Sequence, residues 1–132
     1  MPNRRLLIVD DSVTIRAMIE QLFARRNDVR VVGVVGNAGE ALEAMNRCYP
    51  DVITLDIMMP GMDGLALLRR IMAERPVPVI IVSSRGTAGS ETSRQALALG
   101  ASACFDKAGI LTEATAFTRT VLAAKKGSVK LH

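Results

Sequence analysis

Short, mostly apolar runs alternate along this chain with longer stretches in which apolar residues recur every three or four positions. Residues 5–9 form the first run and end at Asp10-Asp11. Residues 29–35 are β-branched and stop at Gly36, and residues 52–55 stop at Asp56. Residues 78–82 and 102–105 are the fourth and fifth runs. Runs of this length, bounded by polar or turn residues, predict strands buried on both faces. Between them, Ile15, Met18, Ile19, Leu22 and Phe23 recur at helical spacing after Ser12, a candidate N-cap. Ala38, Ala41, Leu42 and Met45 form the next stripe, which stops before Pro50. Leu65, Leu68, Ile71 and Met72 form a third, which ends near Pro76. Ala96 and Leu97 sit on a short helix closed by Gly100, and Ala114, Phe117, Val121 and Leu122 lie on the last. Strict β/α alternation predicts an α/β fold, a parallel sheet with helices on both faces.

The length of 132 residues suits one domain, and 49% apolar residues can fill a core. With three Phe, one Tyr and no Trp, that core is aliphatic. No apolar stretch approaches membrane-spanning length, and the run after Arg4 and Arg5 is too short for a signal-peptide core, so a cytoplasmic location is expected. The net charge of +4 comes from scattered basic residues with no nucleic-acid-reading motif. Cys48 and Cys104 lack metal-ligand or CxxC spacing and are expected to be reduced, mostly buried thiols.

Adjacent parallel strands ending at Asp10 and Asp56 would bring Asp10, Asp11 and Asp56 to one sheet edge. In open α/β sheets the edge beyond the strand carboxyl ends is where ligands bind. Three clustered carboxylates repel one another and call for a cation. Oxygen ligands alone suit a hard ion, Mg²⁺ above all. Each residue also has a plainer role: Asp11 and Ser12 as helix caps, Lys107 as a solvated lysine, Ser83 and Ser84 as turn residues. Pro60-Gly61 and Asp63-Gly64 are turn dipeptides in any reading, and Met58, Met59 and Met62 are expected to serve packing and loops. Joint placement at one edge is what favours a site.

Four pieces in order carry a resemblance: Val9-Asp10-Asp11-Ser12; Leu55 to Gly64, reading Leu-Asp-Ile-Met-Met-Pro-Gly-Met-Asp-Gly; Val82-Ser83-Ser84; and Asp106-Lys107. The chain resembles the receiver domain of two-component response regulators over residues 4–125, with 126–132 as a tail. The resemblance implies a flavodoxin-like, doubly wound five-stranded parallel sheet of order 2-1-3-4-5 with five helices. It implies that Asp56 is the phosphoacceptor for a phosphohistidine supplied by a histidine kinase or phosphotransfer protein. Asp11, Asp10 (mostly through water), Asp56 and the backbone carbonyl of Met58 would hold Mg²⁺. Lys107 would neutralise a phosphoryl oxygen, Ser83 would donate a hydrogen bond to another, and Ser84 would leave room for the group. The output surface would be the last helix–strand–helix, about residues 90–123, facing an unidentified protein target. The Met-Pro-x-Met-Asp-Gly and Val-Ser-Ser stretches also resemble those of chemotaxis methylesterases, so both a stand-alone receiver and a piece of a longer protein fit.

Three departures from the family pattern stand out. Ser83 replaces the commoner Thr and keeps the hydroxyl. Cys104 stands where an aromatic switch residue is usual, and period-2 alternation points Phe105 to the opposite face. Ala108 follows Lys107 where Pro is usual with a cis bond. A cis bond before a non-proline costs about 2.5–4 kcal/mol, so a trans peptide with a rearranged loop is the cheaper expectation. Met58 and Arg85 occupy the positions that flank the attacking water in the family, and slow self-dephosphorylation is expected.

Other classes fit less well. A haloacid-dehalogenase phosphatase needs a second Asp where Met58 stands. A P-loop is absent, and Gly33, Gly36 and Gly39 have the wrong spacing for a dinucleotide fold. A phosphate-independent interaction module remains the alternative, kept open by Cys104. The one His, His132, is at the C-terminus, so the phosphoryl donor must be a partner.

Overall fold

The computed structural model describes residues 4–59, 63–83 and 91–124. Five strands, β1 (Arg4–Val9), β2 (Val29–Val35), β3 (Val52–Leu55), β4 (Val79–Ser83) and β5 (Ala103–Asp106), pair in parallel in the order β2-β1-β3-β4-β5. Five helices alternate with them: α1 (Val13–Phe23), α2 (Ala38–Cys48), α3 (Gly64–Glu74), α4 (Glu91–Ala98) and α5 (Ala114–Ala123). This is the flavodoxin-like order that the resemblance implied. Strands β4 and β5 begin and end one residue later than the apolar runs alone suggest, because Ser83 and Asp106 still pair with each other.

The central strands β3 and β4 are buried along their whole length because both faces are covered, whereas the edge strands β2 and β5 are mostly half-buried. Alternate residues go to opposite sides. Leu7, Val9, Ile53, Leu55, Val79 and Ile81 join α2, α3 and α4 in one core cluster. Leu6, Ile8, Val52, Ile80 and Val82 join α1 and α5 in the other. The same alternation separates Cys104, which packs on the first cluster, from Phe105, which meets Phe117 edge-on at 5.2 Å between ring centroids.

Local chemistry starts the helices, at Ser12 as expected and at Asn37 and Asp63 as well. Ser12 Oγ accepts from Ile15 N–H, Asn37 Oδ1 from Glu40 N–H, and Asp63 Oδ1 from Leu65 and Ala66 N–H. Gly64 is required by close approach: a Cβ there would lie 2.5 Å from the Ile57 backbone. Gly100, at φ +117°, turns the chain from α4 toward β5.

One packing expectation changes. Both thiols are half-buried rather than mostly buried: Cys104 packs on the flank of the first cluster, and Cys48 Sγ lies at the end of α2, 3.4 Å from Val32 O. Met58 is 58% exposed and does not pack, whereas its neighbour Met59 is buried. Met62 and the Pro60-Gly61 turn lie outside the described residues, as do Ser84, Arg85 and the 126–132 tail.

Candidate functional site

The sheet register assembles the site. Asp10 N–H donates to Val35 O at 3.0 Å and Asp56 N–H to Val9 O at 2.9 Å, extending strand pairing one step past β1 and β3. The Asp10 and Asp56 carboxylates therefore emerge side by side at the carboxyl edge, each almost wholly buried. Asp11, the next residue, is exposed at the same rim. One carboxylate oxygen from each of Asp10, Asp11 and Asp56 lies within 4.8 Å of the others. Ser83, buried, ends β4 next to β3.

Lys107 reaches in from the end of β5. Its Nζ lies 2.9 Å from Asp56 Oδ2 and 3.3 Å from Asp10 Oδ1, with the side chain 16% exposed. The second Asp56 oxygen accepts from Met58 N–H at 3.0 Å, and Asp10 Oδ1 also accepts from Ser12 N–H at 2.8 Å. Asp10 Oδ2 is buried with no hydrogen-bond partner among the described residues. A buried carboxylate oxygen without a partner is costly in a protein interior. With the neighbouring Asp11 and Asp56 carboxylates, Asp10 makes a donor set of oxygens alone that fits a hard divalent cation.

The electrostatics agree with that fit. Burial raises the Asp10 carboxyl above its ordinary 3.8; the Ser12 N–H pulls it down, and the Asp56 charge pushes it further up. For Lys107, burial alone would lower the ammonium, but the Asp56 hydrogen bond and the Asp10 and Asp56 charges outweigh it and hold it above 10.5. One ammonium thus faces two buried carboxylates and a third at the rim.

After Lys107 the chain takes the trans course. Among the described residues no peptide bond is cis. Residues Lys107–Gly109 form a 3-10 turn, entered through Asp106, whose Oδ1 accepts from Ala108 N–H at 2.9 Å. A proline at 108 would have no such donor. In the sequence alone Asp106 stands out only as the neighbour of Lys107. An Asp two residues before a free N–H is the signal that was available. Cys104 Sγ lies 3.9 Å from Ser93 O, so the thiol sits against α4 where a larger side chain is usual in the family. Burial raises that thiol above its ordinary 9.0.

Beside the carboxylate edge, the exposed flank of α1 carries a shallow apolar groove of about 600 Å³, lined by Val13, Ala17, Met18, Leu22 and Leu111 among others. Val13 and Leu111 are largely exposed. Periodicity alone did not reveal this groove, since Leu111 reaches α1 only through the fold.

The response regulator receiver domain model matches residues 6–116. The chain is 48% identical over 105 residues to a protein-glutamate methylesterase/protein-glutamine glutaminase of Rhizobium etli, covering 80% of this chain and 30% of that protein. It spans about 30% of the length of the curated relatives it matches. Among solved structures, it is similar to the response regulator domain of Thermotoga maritima CheB, with a TM-score of 0.81 and 31% identity over 92% of this chain and 97% of that one. It is similar also to a chain from the complex of the P1 domain of CheA3 with CheY6 of R. sphaeroides, with a TM-score of 0.76 and 31% identity over 94% and 100% of the two chains.

Proposed function

The chain belongs to the response regulator receiver domain family, and we propose that Asp56 is its phosphoacceptor, taking a phosphoryl group from a phosphohistidine of a histidine kinase or phosphotransfer protein. The observation that carries this reading is the buried Asp56 carboxylate, with the Lys107 ammonium on one oxygen and the unpartnered Asp10 oxygen alongside. In the transfer, an Asp56 oxygen forms the new O–P bond as the N–P bond of the donor breaks, and the imidazole leaves with the electron pair. Phosphoryl transfer depends mainly on positioning and charge neutralisation.

Each residue supplies part of that. The Met58 N–H fixes one Asp56 oxygen and so orients the carboxylate. Lys107 neutralises charge on the phosphoryl oxygens, and the buried Ser83 hydroxyl donates to one of them. Ser84, for which space and a backbone N–H are proposed, lies outside the described residues. Asp10, Asp11, Asp56 and the backbone carbonyl of Met58 would hold Mg²⁺, which when bound supplies positive charge to the transferring group. The methylesterase activity of the longer relatives is not assigned to this stretch, which would catalyse only its own phosphorylation and dephosphorylation.

The groove of Val13, Met18, Leu22 and Leu111 next to the site is the proposed docking place of the phosphodonor. No nucleic-acid or membrane partner is proposed, and among the described residues no helix is long and apolar enough to cross a membrane. Output is proposed to run through α4, β5 and α5. Cys104 is too small for the bulky rotamer signal of an aromatic, so the readout rests on Ser83 and on α4 itself. Met58, exposed beside Asp56 and without a polar group on its side chain to orient water, supports a long-lived phosphoryl group.

Intact mass after incubation with Mg²⁺ and acetyl phosphate tests the reading, with Asp56→Asn alongside. One phosphoryl group on the wild type and none on the variant is expected. No adduct together with no Mg²⁺ binding would favour a phosphate-independent interaction module, and an equal adduct on Asp56→Asn would move the acceptor elsewhere.

A further inference from the structure

We infer that Asp106 is a positioning residue: its carboxylate closes a turn around Lys107 and thereby aims the ammonium between Asp10 and Asp56. The inference rests on the reading of Asp56 as phosphoacceptor and deepens it.

Lysine has a long, flexible stem, and its reach is useful only if its backbone is held. Three contacts hold it here. Before Lys107, Asp106 ends β5 in register with Ser83 of β4. After it, Ile110 is fully buried in the core shared with Phe117 and Val121, and Ile110 N–H donates back to Lys107 O at 3.3 Å. Across it, Asp106 Oδ1 accepts from Ala108 N–H at 2.9 Å. Lys107 is thus the central residue of an Asx turn, the shortest loop that a carboxylate one methylene from Cα can close. The turn leads into the 3-10 segment Lys107–Gly109, continued when Glu113 N–H donates to Gly109 O at 2.8 Å. Asp106 itself touches neither Asp10 nor Asp56 in any hydrogen bond among the described residues. Its effect on the site goes through the backbone of Lys107. The device depends on Ala108, because proline has no N–H to donate.

Charge and geometry are separable at this position. Asp106→Asn keeps the short oxygen acceptor and loses the charge. Asp106→Glu keeps the charge but is one methylene too long to close the turn. Initial rates of phosphoryl incorporation from acetyl phosphate at saturating Mg²⁺ are compared for both. Acylation of Lys107 by an amine-reactive ester, read by peptide mass, is measured on the same proteins without phosphodonor. The chain has four lysines, and the other three lie at 125, 126 and 130, so the Lys107 peptide is distinct.

Asp106→Asn is expected to keep the rate within about twofold and to keep Lys107 protected. Asp106→Glu is expected to slow labelling by about tenfold and to raise Lys107 acylation. Asp106→Ser and Asp106→Ala, short side chains with and without an acceptor, repeat the comparison: Ser should behave as Asn, and Ala as Glu. If Glu and Ala match the wild type, or if Asn and Ser fail as Glu does, the positioning role is wrong. If the wild type takes no phosphoryl group while the acylation pattern still follows the acceptor, the positioning of Lys107 stands and the phosphoacceptor reading falls.

Discussion

The Lys107 ammonium lies 3.3 Å from Asp10 Oδ1, joining the ends of two strands that are not neighbours in the sheet, β5 and β1. The same ammonium lies 2.9 Å from Asp56 Oδ2, just past the end of β3, which stands between β1 and β4. A Mg²⁺ ion held as proposed by the same carboxylates would compete with this built-in ammonium, and stability and affinity would then move in opposite directions.

Asp10→Asn should make the metal-free protein more stable while weakening Mg²⁺ binding. The Asp10 carboxyl is raised by burial and by Asp56, so the folded protein holds its proton more tightly than the unfolded chain does. Stability from that group is therefore present at low pH and lost as pH rises from 3.8 through the raised value. The amide removes this loss, and a gain of about 1 kcal/mol is expected at neutral pH. Chemical denaturation of both proteins across pH checks it: the advantage of the variant should grow with pH above the ordinary carboxylate range. Mg²⁺ affinity of the wild type, measured by calorimetry, should fall as pH drops through the same range. A variant less stable than wild type at neutral pH would contradict the argument.

Lys107→Ala should act the other way. Removing the ammonium leaves two buried carboxylates without their partner, and a loss of about 2 kcal/mol in metal-free stability is expected. Because the folded Lys107 is held above 10.5, its contribution is whole below 10.5 and fades only as pH rises through the higher value. The stability deficit should thus be constant through neutral pH. Mg²⁺ should bind the variant more tightly, since the competing positive charge is gone, while phosphoryl incorporation falls by about tenfold or more. Unchanged Mg²⁺ affinity would mean that the ammonium does not compete with the cation.

Gly64→Ala should damage both the fold and the site. The added methyl would meet Ile57 Cα and O at 2.5 Å, and both are backbone atoms that cannot swing away. Ile57 follows Asp56, so any relief of the clash shifts the acceptor. A destabilisation of about 2–3 kcal/mol is expected, with labelling of Asp56 slowed in the fraction that stays folded. Thermal melting and phosphoryl incorporation read the two effects, and a variant that melts and labels as wild type would show that the loop has room to move.

Thr54→Val should stabilise. Thr54 is buried on β3 and its hydroxyl has no hydrogen-bond partner among the described residues. Valine has nearly the same shape, suits a strand equally and removes the unsatisfied group, so a gain of about 1 kcal/mol is expected. Denaturant midpoints at constant slope would show it, and a loss would point to a partner for the hydroxyl outside the described residues.

Much of the fold was legible because it is written in neighbours along the chain. Short apolar runs rich in β-branched residues and bounded by turn signals point to buried strands, and Ser12 and Gly100 carry their cap and turn chemistry locally. The opposite facing of Cys104 and Phe105 followed from period 2 alone. The proposed acceptor was legible as a candidate because Asp56 follows an apolar run at the edge where such sheets place their sites. The exposure of Met58 beside the burial of Met59 was not legible, because both are apolar and the loop between β3 and α3 decides which one faces inward.

By itself the sequence determined the kind of layers, the strand and helix positions to within a residue or two, and the residues available for chemistry. Only the tertiary structure decided which of the adjacent carboxylates is buried: Asp10 is enclosed and Asp11 exposed. That choice depends on hydrogen bonds from Asp10 to β2 and from Asp56 to β1, contacts between residues far apart in the chain. The meeting of Arg5 and Arg75 at the end of α2 is of the same kind. Arg5 donates to Cys48 O, Arg75 donates to Met45 O at 2.7 Å, and Arg75 lies 4.1 Å over the Tyr49 ring. Periodicity and cap chemistry act over a few residues, whereas register, burial of a charge and convergence of side chains exist only once distant segments have packed.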